Sequence, residues 1–202
     1  MDRSVLQDIY RYWFGALSGP DDVPVEKSEI WFKQSDETDA FIRDTFGWAL
    51  PIAVAIDWDL AALTREEQIA LVVLFDQFPR NIFRTSGEAF AYDAKARAVA
   101  GALIGMFGGR ERFHFIERAF LNLPFEHSED IADQDYSVLI FSEDAVAAPA
   151  PLKDRFRLFL DFATKHRDLI RRFGRFPHRN EMLGRETTPE EAAFLSEHGR
   201  GY

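Results

Sequence analysis

The feature that most limits this chain is the unbroken apolar run Ile69-Ala70-Leu71-Val72-Val73-Leu74-Phe75. It follows Thr64-Arg65-Glu66-Glu67, a capping box in which hydroxyl and carboxylate satisfy each other's backbone donors. A helix that starts there is apolar on every face, so it belongs at the centre of a packed helical body. A buried strand could also read this way. The capping box, the length and the missing turn residues favour helix. Pro79 is expected to end it, since proline lacks a donor and disfavours helix in the residue before it.

The rest of the chain agrees with an all-α fold. Val5, Leu6, Ile9, Tyr10, Trp13 and Phe14 recur at helical spacing, and Gly15 fits a C-cap. Ile30, Trp31 and Phe32 suggest a short buried turn, and Asp36 a cap for a helix holding Phe41, Ile42 and Phe46. A helix is expected after Gly87, with Phe90, Ala94 and Ala98 on one stripe. Another carries Phe113, Ile116, Phe120 and Leu123 and stops at Pro124. Ser128 can cap the next, with Glu129 and Asp130 in its first turn. Pro149 and Pro151 precede a long helix from Leu152 to Phe173, ended by Gly174. Thr188-Pro189-Glu190-Glu191 is a second capping box with proline at its favoured position. The expectation is eight to ten helices in antiparallel pairs, forming one all-helical domain over residues 1–202.

Composition narrows the function classes. The chain has no cysteine, which excludes disulfides and thiolate metal sites and suits a reducing compartment. No apolar run approaches the ~20 residues that span a bilayer, and the first residues lack the pattern of a signal peptide. A cytoplasmic protein with no membrane partner is expected. The net charge of −10 argues against a nucleic-acid partner. Charge is unevenly placed: residues 1–70 hold 6 basic and 14 acidic side chains, residues 151–202 hold 11 and 8. No GxSxG, P-loop, GxGxxG or HExxH occurs.

Three stretches at helix boundaries set functional side chains beside aromatics: Asp76-Gln77-Phe78-Pro79-Arg80-Asn81-Ile82-Phe83-Arg84, Pro124-Phe125-Glu126-His127-Ser128-Glu129-Asp130, and Arg171 to Asn180. Helix ends leave backbone groups available, so ligands and ions gather there. The candidate pocket residues are Asp76, Gln77, Arg80, Asn81, Arg84, Glu126, His127, Asp130, Arg175, His178, Arg179 and Asn180. If the stretches converge, the arginines either pair with Asp76, Glu126, Glu129 or Asp130 in a structural network, or fork onto a small anionic or zwitterionic ligand. His127 beside Glu126 and Asp130 could join His178 at a metal, but the spacing fits no strong metal motif, and no metal or cofactor is expected. His166, on the apolar face of the long helix, reads as a packed core histidine. His114 and His198 carry no signal.

The strings FDQFPRNIFR, LPFEHSED and RFGRFPHRN, followed by LGR and TPEEAAFL, resemble an uncharacterised bacterial family, domain of unknown function 924. The resemblance covers nearly the whole chain. It implies a tetratricopeptide-repeat-like helical fold and no established activity. The leading expectation is a binding or scaffold domain for a peptide segment or a small anionic molecule. The alternative is an enzyme on an anionic metabolite, with His127 or His178 as acid–base group and arginines as clamps.

Overall fold

Ten α-helices and several short 3-10 turns make up the described residues, with no strand among them. The structure is a computed structural model and describes residues 1–199. The helices are α1 Ser4–Phe14, α2 Ser28–Phe32, α3 Asp36–Phe46, α4 Ala49–Val54, α5 Arg65–Ile82, α6 Asp93–Gly105, α7 Phe115–Glu126, α8 Ile131–Ala147, α9 Lys153–Phe173 and α10 Pro189–His198. Among the described residues, no helix is long and apolar enough to cross a membrane.

The chain divides into two compact units, Met1–Arg84 with Glu88–Pro124, and Thr85–Gly87 with Phe125–Tyr202. In the first, α5 packs against α1, α3, α4 and α6. Its residues from Ile69 to Phe75 are wholly buried, as an all-apolar helix must be. Aromatic edges fill the space around it. Trp13 meets Phe78 and Phe120 at 5.7 and 5.6 Å between ring centres, and Phe46 meets Phe78 at 5.4 Å. In the second unit α8 packs along α9. Leu169, Ile170, Phe176 and Phe194 form a core there, with Phe173 and Leu195 against it.

The local signals place most helix ends correctly. Both capping boxes form, at Thr64 with Glu67 and at Thr188 with Glu191. Gly15 and Gly174 close α1 and α9 with φ of 72° and 70°, a region that costs little only for glycine.

Several expectations need correction. Neither proline stops its helix: α5 runs on past Pro79 to Ile82, and α7 past Pro124 to Glu126. Pro79 removes one donor, yet its own carbonyl still receives the Phe83 N–H at 2.8 Å. The ~3 kcal/mol cost of an internal proline is matched by the ~1.5–3 kcal/mol from burying Phe78 just before it, together with its contacts to Trp13 and Phe46. The caps of α3 and α8 also shift. Ser35, not Asp36, accepts from Thr38 N, and Asp130, not Ser128, accepts from Ala132 N. Ser128 instead accepts from Asp130 N and donates to Asp133. Only a 3-10 turn, Gly87–Phe90, follows Gly87, and α6 starts at Asp93. Of the expected buried turn at 30–32 only Trp31 is buried, and Phe32 is exposed. The short helix α4 carries no signal legible in the sequence.

Candidate functional site

The first motif stretch is knitted into the first unit. Asp76 is fully buried, and its side chain accepts from Gln77 Nε2 at 2.6 Å. Arg80 turns back along α5, with Nη1 on the Asp76 carbonyl at 2.6 Å. The same guanidinium takes both oxygens of Asp93, at 2.8 and 3.0 Å. Arg84 forks onto Asp39 at 2.5 and 2.6 Å, and Asn81 adds a third donor at 2.8 Å. Burial works to raise the Asp39 pKa, but Arg84 and Asn81 outweigh it and hold the carboxylate below its ordinary range. Asp39 and Asp93 are not among the residues the sequence singles out. Asp39 did have a signal: it lies three residues before Ile42 and seven before Phe46, on the buried stripe of α3.

The other two stretches meet inside the second unit. Glu129 is the hinge of that meeting. Its Oε1 accepts from the Phe176 N–H at 2.8 Å, and Arg185 forks onto both of its oxygens at 2.6 and 3.0 Å. Burial pushes the Glu129 pKa up, and Arg185 with the Phe176 amide brings it below normal. Glu129 is therefore not an acidic first-turn residue of α8, as the sequence suggested. It lies before that helix and holds the chain after α9. Arg185 closes the loop by donating to the Phe176 carbonyl at 3.1 Å.

Arg179 is 6% exposed, donates to the His127 carbonyl at 3.0 Å, and lies over the Phe176 ring at 4.4 Å. Arg175 forks onto Glu191 at 2.7 and 2.9 Å. The same carboxylate accepts from Thr188 N at 2.8 Å and from Asn180 Nδ2 at 3.2 Å. The Arg175 hydrogen bonds, against the opposing effect of burial and with help from Thr188, lower the Glu191 pKa to about 2. The two-pronged contact expected of the arginines after α9 thus exists at Arg175, but its carboxylate is Glu191, which the sequence marked only as a helix cap.

The histidines differ in setting. His166 is buried, with Nδ1 at 2.9 Å from the Phe162 carbonyl and 3.0 Å from Glu126 Oε1, and its ring edge meets Phe176. It is the packed core histidine expected, and it also gives Glu126 its partner. His178 is half-buried, with its ring 5.4 Å from Phe176. Burial, then the charges of Arg179 and His166, bring its pKa down to about 4. Gln134 ties the start of this region together by donating to the Glu126 and Ser128 carbonyls, both at 2.6 Å. Asp130 is used as the cap of α8. Among the described residues no group of three or more His, Asp or Glu side chains could hold a metal ion.

Residues 9–199 match a family described as bacterial protein of unknown function, DUF924. The chain belongs to this family. A solved structure of a protein of unknown function, ATU0120 from Agrobacterium tumefaciens, is similar over 96% of this chain and 98% of that one. The identity is 36% and the TM-score 0.76. No curated protein matches the chain. In this DUF924 chain, then, the second motif string, just before α8, is hydrogen-bonded to the turn after α9 that carries the third, and the first anchors α5 to α3 and to the start of α6.

Proposed function

We propose that this chain is a cytoplasmic binding or scaffold domain whose turn after α9 receives an anionic group, the carboxylate of a peptide segment or of a small metabolite. The carrying observation is the setting of His178. It stands half-buried on Phe176, beside the stacked guanidinium of Arg179, with Arg185 bound to the same turn. The depressed pKa of His178 supports a positive local potential there, beyond the effect of burial. A pKa near 4 also leaves the imidazole neutral and weakly basic at neutral pH. That suits a hydrogen-bonding group better than the acid–base group an enzyme would need. The two-pronged pairs Arg175–Glu191 and Arg185–Glu129 give the turn rigid walls, which lowers the ordering cost of binding. We read the helices as antiparallel pairs of the tetratricopeptide-repeat kind. The packing of consecutive helices α8 and α9 through the short Ala150–Leu152 turn supports this.

The test is a titration of the isotopically labelled protein with citrate and with a short acidic peptide. Saturable shifts confined to residues 175–185, weakened about tenfold in Arg179→Met and in His178→Gln, are expected. Absence of saturable shifts in that turn, or equal binding by both variants, overturns the reading.

A further inference from the structure

Helix α4, Ala49–Val54, has no polar face. One side, with Ala49, Leu50 and Ala53, is buried in the first unit, where α4 packs on α5. The opposite side is apolar as well. Trp48, Pro51, Ile52 and Ala55 recur at i, i+3, i+4 and i+7, the spacing of an apolar stripe, and all four are exposed. Trp48 is 49% exposed, Ile52 42% and Val54 37%. Gly47 and Trp48 keep right-handed helical angles, so the stripe continues back into α3. Phe41, seven residues before Trp48, is 46% exposed there. A helix apolar on every face belongs inside a packed body, and this chain covers only one side of α4. We propose that the outer stripe is covered by the same stripe of a second copy of the chain, packed antiparallel about a two-fold axis.

The polar atoms near the stripe are already used. Trp48 Nε1 donates to the Thr45 carbonyl at 2.9 Å, and Trp58 Nε1 to the Ala53 carbonyl at 3.0 Å. The indole rings at the two ends of α4 therefore offer apolar contact alone.

Charge selects the occupant. From Gly47 to Ile56 no side chain is ionisable. Two chains of net charge −10 repel each other, and a contact made through these residues buries no charge against its like. An anionic lipid surface is the poorer match. No Lys or Arg lies between Arg43 and Arg65, whereas Asp44, Asp57 and Asp59 do. Shape agrees with a second copy. A two-fold axis at Pro51-Ile52 sets Trp48 of each copy opposite Ala55 of the other, a large side chain against a small one.

The test is sedimentation velocity of the whole chain over a concentration series. One helix stripe is smaller than the ~800 Å² that each partner gives to a standard interface, so a dissociation constant of about 10–100 µM is expected. The wild type should sediment as a monomer when dilute and as a dimer at about 500 µM. Ile52→Glu should weaken self-association by roughly tenfold or more. It should leave the melting temperature of dilute protein unchanged, because Ile52 is exposed in the single chain. The chain has no cysteine, so Ile52→Cys introduces one thiol, close to the axis. Diamide should link two copies of that variant much faster than two copies of Glu197→Cys, whose side chain is exposed on α10. A wild type that stays monomeric at the highest concentration, a dimer that Ile52→Glu leaves intact, or linkage no faster at residue 52 than at residue 197 overturns the proposal. A monomer whose tryptophan emission shifts to the blue on phosphatidylcholine vesicles overturns it in favour of a lipid surface.

Discussion

Glu191 serves two structures with one carboxylate, capping α10 through Thr188 and bonding Arg175 and Asn180. Its folded pKa, about 2, lies below the ordinary 4.5. Because the shift is downward, the stability it brings is present above about pH 4.5 and is lost as pH falls toward 2. Glu191→Gln should cost about 1–3 kcal/mol at neutral pH, and the gap to the wild-type melting temperature should close between pH 4.5 and 2. A gap that stays constant over that range contradicts this linkage. Asp39, which takes three donors from Asn81 and Arg84, is the parallel case on α3. Arg84 is partly exposed, so Asp39→Asn should cost somewhat less than a fully buried pair, about 2–3 kcal/mol by denaturant unfolding. The arginines of both sites were legible in the sequence as unusual residues at helix ends. Their partners were not, because Asp39, Glu191 and Glu129 lie 45, 16 and 56 residues from Arg84, Arg175 and Arg185. Opposite charges show that pairs must form, but only the folded chain selects them.

At the scale of elements, what is encoded within a few residues was readable. The two capping boxes, the glycines after α1 and α9 and the apolar run in α5 all act locally, and each fixes its helix end or face. Gly174 has φ of 70° with open space around a built Cβ. Gly174→Ala should therefore cost only the backbone strain, about 1 kcal/mol in chemical denaturation, and no packing. Thr64→Ala should cost a similar amount, about 1 kcal/mol, through the lost cap of α5. A loss several times larger in either variant would mean that the residue carries contacts beyond its local geometry. Pro79 and Pro124 mislead for the converse reason. A proline's local cost is fixed, whereas the aromatic packing that outweighs it at Pro79 comes from Trp13 and Phe46, far away in sequence.

Over the whole molecule, the net charge of −10 sets a field that every charged ligand must cross. The field opposes the anion proposed for the turn after α9. A carboxylate approaching that turn is attracted by Arg179 at short range, while the net charge repels it at long range. Salt separates the two ranges. Raising ionic strength from about 10 to 150 mM shortens the screening length from about 30 to 8 Å, which removes the long-range part and leaves close contacts much less affected. Citrate affinity should therefore change by less than about threefold across that range, because screening removes a repulsion along with part of an attraction. Calorimetric titrations at matched pH, with a chloride salt as the only variable, measure the slope. If citrate binding weakens by about tenfold or more, the field of the whole molecule does not govern access to this turn, and its ligand preference rests on contact chemistry alone.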